Sequence, residues 1–265
     1  MLVVYYSQTG QLGKIIDVLC KNKSDIDVDY VQIHCEQYPF PLTWKSMFEM
    51  FPESVCQTSC SISYTLPKNN YDSVVLGFQT WFLHLSLPML TFTRTLDFSK
   101  LIRGKHVYLV MDCRNSWRLP MQYMTNIVKK GGGVIKGRYV FSSSSGNILG
   151  TFSLLHWLYT ARRKCYLLPE PGVTLSVLPY RIKKDFFNNL DSPLINFFPA
   201  QNQHLMPLYM ERFAYKKFDL WANYIISKPQ FRKRRLFIFK IWLICAALLL
   251  FPFTKMMNPK CPYND

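Results

Sequence analysis

The sequence predicts an α/β protein built on a doubly wound, five-stranded parallel sheet. Three observations lead there. Short apolar, β-rich runs recur through the first 141 residues, segments with helical spacing separate them, and the first run passes into a Ser/Thr/Gly turn that opens a helix. Buried strands alternating with helices imply a parallel sheet covered on both faces.

Leu2 to Tyr6 reads as the first strand, Ser7-Gln8-Thr9-Gly10 as a turn, and Leu12, Ile15, Ile16 and Leu19 as the apolar face of a helix. Ile26 to Ile33 alternates apolar and polar residues and reads as the second strand. Val74 to Gly77, Val107 to Met111 and Val134 to Phe141 supply the other three, the last entered from Gly131-Gly132-Gly133. Leu87 to Leu96 and Met121 to Lys130 are the helices between them. Ligands in such sheets bind outside the carboxyl ends of the strands, where the strand order reverses. The loops that matter are therefore Ser7–Leu12, Phe78–Leu83 and Asp112–Trp117.

Gln37 to Ser63 interrupts the alternation with Tyr38-Pro39-Phe40-Pro41, Trp44, Met47, Phe48, Met50, Phe51 and Pro52. An insertion this aromatic is either a hydrophobic helix packed on the sheet or a wall over an apolar substrate pocket. Ile148 to Tyr159, ending in Arg162-Arg163-Lys164, is too short to span a bilayer; it is an interfacial segment or the last core helix. Trp221 to Ile226 reads as helical within the mixed stretch Tyr180 to Ser227. Leu236 to Phe253 is apolar apart from Lys240 and follows Arg232-Lys233-Arg234-Arg235. That pattern predicts a membrane-anchoring tail at the anionic cytoplasmic leaflet, crossing the bilayer or dipping into it. A buried core helix is the alternative. The expected organisation is a ligand-binding domain over 1–165, an extension over 166–230 and the tail over 231–265.

Hydrophobic residues make up 49% of the chain, aromatic ones 16% and charged ones 18%, which excludes a disordered chain and leaves apolar surface for lipid. Thirty-two Lys and Arg against 16 Asp and Glu give a net charge of +16, a field that favours polyanions. No zinc-finger spacing, RNA-binding aromatic motif or helix-turn-helix pattern organises that charge, so a membrane surface or a phosphorylated cofactor is expected rather than nucleic acid. The eight cysteines form no CxxC pair, and the first strand begins at once without a signal peptide. Both predict free thiols in a reducing cytosol. Cys56 and Cys60 have no partners to complete a metal set, so none is expected.

The first loop places hydroxyls and backbone N–H groups at the positive end of a helix, an arrangement that holds phosphate without Lys or Arg and that also serves for simple capping. It resembles the flavodoxin phosphate loop, in which two hydroxyl residues, Gly and a final Thr cradle FMN. Ser7, Thr9 and Gly10 match, and Leu12 stands where the family has its last Thr. The resemblance implies a flavodoxin-like fold with FMN held by Ser7, Gln8, Thr9, Gly10, Gln11 and Leu12. Gln79, Thr80, Trp81 and Phe82 would form the second flavin loop, Trp81 on the ring with core packing as its alternative. Cys113, Arg114 and Asn115 would form the third.

The match extends further. Tyr5 to Leu12, the insertion with Pro39-Phe40-Pro41, Trp44, Phe48 and Phe51-Pro52-Glu53, Leu76 to Phe82, Cys113 to Trp117 and the basic hydrophobic tail together resemble the bacterial dialkylresorcinol condensing enzymes. That resemblance implies a partner ketosynthase that joins two acyl units into a cyclohexanedione, which this protein aromatises on the way to flexirubin-type pigments. Aromatisation removes two hydrogens, which FMN can accept as hydride while a base takes the proton. His84, Asp112 and Arg114 are the acid/base candidates, Arg114 for enolate charge, each with a capping or ion-pairing alternative. Two other readings stay open: a carbon–carbon condensing catalyst, for which Cys113 is a lone thiol in a basic loop, and an FMN-free membrane scaffold, which Leu12 favours.

Overall fold

The computed structural model describes residues 1–20, 27–143, 149–173, 195–197 and 208–254. Strand β1 (Leu2–Tyr5) lies beside β2 (Asp29–Gln32) on one flank and β3 (Ser73–Trp81) on the other. The sheet continues through β5 (His106–Cys113), β6 (Val134–Ser142) and β7 (Ile195–Phe197). All these pairs are parallel. A two-residue strand, β4 (His84–Leu85), turns back antiparallel on β3. The order 2-1-3-5-6, with β1 followed in space by β3, is the flavodoxin-like doubly wound order once the hairpin strand is set aside. The expected sheet of five parallel strands gains a sixth, β7.

Two faces cover the sheet. Helix α1 (Gln11–Cys20) buries Leu12, Ile15, Ile16 and Leu19 against Val3, Val75, Tyr108 and Val110. Gly77 permits that approach: a Cβ there would stand 2.6 Å from Tyr5 Cβ and 2.7 Å from Ile16 Cδ1. The larger core lies on the opposite face under α2 (Trp44–Val55), α3 (Leu87–Thr93), α4 (Leu96–Ile102) and α5 (Arg118–Lys130). The single helix expected over Leu87 to Leu96 is two, because the Thr95 hydroxyl accepts the Phe98 N–H at 3.1 Å and starts a second one.

Helix α6 (Leu149–Thr160) follows β6, and its last turn reaches the insertion rather than staying over the sheet. The Leu42 N–H donates to the Leu158 carbonyl at 2.8 Å, and Trp44 stacks on Tyr159 at 4.4 Å. Residues 180–207, apart from 195–197, fall outside the described segments. Helix α7 (Leu208–Ile226) is longer than the six helical residues expected there.

The tail forms α8 (Arg232–Thr254), and its first half belongs to the core. Phe239 is 1% exposed and stacks on Phe51 at 4.1 Å, while Phe218 of α7 meets Phe51 edge-on at 5.4 Å. Arg232 pairs with Glu53 at 2.6 Å, and buried Arg235 donates to the Tyr224 carbonyl and to Ser227 Oγ. Lys240 lies over the Phe48 ring, 4.5 Å from its centroid. Among the described residues no helix is long and apolar enough to cross a membrane.

Candidate functional site

The strand order reverses between β1 and β3, and the first loop leaves β1 at that point. Ser7 and Gln8 are buried, Thr9 is half-buried and Gly10 exposed. Gly10 takes a left-handed φ of 76°, which tips consecutive N–H groups toward one side. No acceptor among the described residues takes the N–H of Thr9, Gly10 or Gln11. Three free donors at the start of a helix form a ready anion cradle. Leu12 is not part of it. Its side chain is fully buried under the sheet and its N–H donates to Ser7 Oγ at 3.1 Å, so it packs the core and caps the loop instead of touching a ligand.

A chain of amides links this loop to the next two. The Gln8 N–H donates to Gln79 Oε1 at 2.7 Å, and Gln79 Nε2 donates to Asp112 Oδ2 at 3.1 Å. Burial pushes the Asp112 carboxyl up to about 7, against the pull of Gln79 and the more distant Arg163. Thr80 Oγ1 donates to the Ser116 carbonyl at 3.3 Å, which ties the second loop to the third. Arg114 brings a guanidinium whose buried Nε has no hydrogen-bond partner among the described residues, and burial lowers its pKa to about 10. Asn115 is half-buried beside it.

Trp81 stands edge-on to Tyr6 at 5.6 Å and to Tyr38 at 5.8 Å. The Tyr6 hydroxyl donates to Gln8 Oε1 at 2.5 Å, and Gln8 Nε2 donates to the Tyr38 carbonyl at 3.1 Å, so this aromatic wall and the first loop share one network. Phe82 points elsewhere: its ring meets Phe51 of α2 edge-on at 5.2 Å. Cys113 packs into the larger core. Burial, with Asp112 and Glu211 nearby, raises its thiol well above the ordinary range, so it stays protonated and is no ready nucleophile. The insertion is not a wall of Trp44, Phe48 and Phe51 around a pocket. Phe48 and Phe51 are core residues, and exposed Trp44 stacks on Tyr159.

His84 is drawn away from Asp112. Its ring stacks on Tyr215 of α7 at 4.2 Å, and Nδ1 lies 2.9 Å from the Phe82 carbonyl. Burial lowers its pKa, which keeps it neutral, with Nδ1 carrying the proton and Nε2 without a partner among the described residues. It borders a cavity of about 400 Å³ formed with Leu83, Leu119, Pro120, Tyr123 and Tyr215.

Four contributors were not among the flavin-loop and acid/base residues expected from the sequence. Tyr6 and Tyr38 complete the aromatic wall. The segment 170–173 crosses to the first loop, where the Val173 carbonyl accepts from both Gln11 Nε2 and Arg163 Nη2 at 2.9 Å. Gly172 is required there, since a Cβ would come within 2.3 Å of Gln11 Oε1. Pro169-Glu170-Pro171-Gly172 carries a turn signal that marks the segment without revealing what it covers. Finally, buried Glu211 of α7 accepts the Leu119 N–H at 3.0 Å and caps α5 from outside, a link between distant segments that no local motif announces.

No protein-family model and no curated protein matches the sequence. Solved structures similar to it include a flavoprotein from Lactobacillus acidophilus in complex with FMN, at 13% identity over 52% of this chain and 91% of that one, TM-score 0.44. A flavodoxin variant from Fusobacterium nucleatum bound to FMN shares 17% identity over 55% of this chain and 70% of that one, TM-score 0.34. Oxidised flavodoxin from Bacillus cereus shares 13% over 53% and 82%, TM-score 0.34.

Proposed function

We propose that this chain binds FMN at the carboxyl ends of β1, β3 and β5 and acts as a flavin-dependent oxidoreductase that aromatises a long-chain cyclohexanedione to a dialkylresorcinol. The observation that carries the reading is the row of N–H groups at Thr9, Gly10 and Gln11 that meet no acceptor among the described residues, placed where the strand order reverses. The residues fit the cofactor: those donors and the Thr9 hydroxyl would hold the phosphate, and Trp81, backed by Tyr6 and Tyr38, would border the ring. When bound, FMN supplies a two-electron acceptor, and aromatising a cyclohexanedione releases two hydrogens.

The chain's own residues supply the proton chemistry. Asp112, held near neutrality, exchanges its proton at Oδ1, since Oδ2 accepts from Gln79. Arg114, whose Nε has no hydrogen-bond partner among the described residues, offers a guanidinium for enolate oxygen. The raised Cys113 thiol weighs against the carbon–carbon condensing alternative. An FMN-free scaffold draws support from the use of Ser7 Oγ and Gln11 inside the protein.

The resemblance to the dialkylresorcinol enzymes is what suggests a partner ketosynthase and a substrate that partitions into lipid. Exposed Phe237, Ile241 and Ile244 recur at helical spacing on α8, with exposed Lys233 and Arg234 at the start of the same stripe. That pattern supports seating on the anionic inner face of the cytoplasmic membrane, with the helix lying on the surface.

Purified full-length protein should carry the absorbance of bound FMN, and Thr9→Val with Gly10→Asp should lose it, since a donor goes and a carboxylate faces the phosphate. With the ketosynthase supplied, wild type should give resorcinol and the double variant should accumulate cyclohexanedione. Flavin retained in the variant sinks the binding site. Normal resorcinol formation by the flavin-free variant leaves a scaffold, and absence of any cyclised product without this protein makes it the condensing catalyst.

A further inference from the structure

We propose that Cys35 and Cys60 form a reversible dithiol–disulfide couple that closes the loop carrying the aromatic insertion. Their Sγ atoms stand 3.8 Å apart although the residues are 25 positions apart in the chain. The approach is braced on both sides. His34 and Ser63 exchange two backbone hydrogen bonds, His34 N–H to the Ser63 carbonyl at 2.9 Å and Ser63 N–H to the His34 carbonyl at 3.0 Å. The Cys60 N–H donates to Thr91 Oγ1 at 3.1 Å, and that hydroxyl donates to the Leu87 carbonyl at 2.9 Å. Both cysteines are free and half-buried, which leaves them open to a small reagent while the backbone keeps them facing.

Their chemistry is asymmetric in the useful direction. The Cys60 thiol, with the backbone groups of Tyr38 and Gln37, draws Cys35 down to about 7 against the effect of burial, and the same contact with Cys35 raises Cys60. Cys35 is the attacking thiolate and Cys60 the resolving thiol. With a low-molecular-weight disulfide as oxidant, Cys35 attacks one of its sulfurs, the reagent's S–S bond breaks and one reagent thiolate leaves. Once Cys35 is in the mixed disulfide it no longer raises Cys60. Cys60 then loses its proton and attacks Cys35 Sγ, and the second reagent thiolate leaves. Two protein thiols lose two electrons and two protons, and the reagent is reduced to two thiols. The new bond ties the start and end of the segment that holds Tyr38 and α2, the segment whose Tyr38 carbonyl anchors Gln8. None of this depends on bound flavin.

The full-length protein is incubated with oxidised glutathione, its remaining thiols are blocked with N-ethylmaleimide, and it is digested with trypsin. The expected product is a cross-link between the peptide ending at Lys45, which contains Cys35, and peptide 46–68, which contains Cys56 and Cys60, reversed by dithiothreitol. Cys56→Ser should keep the link and Cys60→Ser should lose it, leaving Cys35 as the glutathione adduct. The proposal is overturned if wild type stops at that adduct, if both cysteines stay alkylated, or if the link survives Cys60→Ser. Should Cys60→Ser fail to fold, the Cys56→Ser variant alone decides, because only Cys60 then remains in its peptide to make the bond.

Discussion

At the scale of single residues the site turns on Asp112, a buried carboxyl held at the carboxyl end of β5 by one amide. Its pKa is raised to about 7 by burial, whereas an unfolded chain ionises it at about 4. Between those values the native state binds more protons than the unfolded one, so this residue makes stability fall as pH rises from about 4 to about 7. The full penalty is present above about 7. Asp112→Asn keeps an oxygen for Gln79 and removes the ionisation. The variant's melting temperature should therefore exceed that of wild type by more at pH 8 than at pH 5, and a difference independent of pH would refute the raised value. Asp112 was legible in the sequence because it ends an apolar strand. Its partner Gln79 was legible only as a loop residue, since pairing depends on the register that sets Gln79 opposite Asp112. The same limit explains His84 and Leu12. Each stands near the expected loops, but the partner that fixes its role, Tyr215 or the underside of the sheet, comes from another element.

The elements were read well where hydrophobic periodicity alone decides and poorly where tertiary contacts override local preference. Strands β1, β5 and β6 and helix α1 fall within a few residues of the expected limits. Strand β3 runs four residues past Gly77 because Phe78 and Gln79 pair with Met111 and Asp112. It then reverses at Phe82 and Leu83, with φ of 49° and 69°. Such a two-residue hairpin normally carries Asn or Gly, so no turn residue announced it. Contact of Phe82 with Phe51 and burial of Leu83 offset the backbone cost. Helix α2 shows local signals in agreement with the structure: Thr43 Oγ1 accepts the Ser46 N–H at 3.0 Å and Ser46 Oγ accepts the Thr43 N–H at 2.9 Å. Thr43→Ala should cost about 1 kcal/mol in chemical denaturation and Thr43→Ser much less. Equal losses would mean that the hydroxyl does not cap the insertion.

For the whole molecule, the decisive difference between sequence and structure lies in the C-terminal helix. Leu236 to Phe253 is apolar enough to suggest lipid, and a linear reading cannot see that α2 presents Phe51 to receive it. Over residues 236–246 the structure divides that apolar character between two faces of α8. Leu236 and Phe239 enter the core with Phe51, Phe218 and Trp221, while Phe237, Ile241 and Ile244 remain exposed. The basic flank divides in the same way: Arg232 and Arg235 are bonded within the protein, and Lys233 and Arg234 face outward. One helix thus closes the fold along one side and offers the other to the membrane surface proposed above. Phe239→Ala removes a fully buried ring and should destabilise the protein by about 3–5 kcal/mol. Phe237→Ala, at a position 62% exposed, should stay within about 0.5 kcal/mol and instead weaken binding to anionic vesicles. Both are measured on the full chain, by denaturant unfolding and by vesicle sedimentation. If Phe239→Ala unfolds like wild type, α8 is not part of the core and the anchoring tail stands as a separate segment. If Phe237→Ala binds vesicles like wild type, the exposed face of α8 is not the membrane contact.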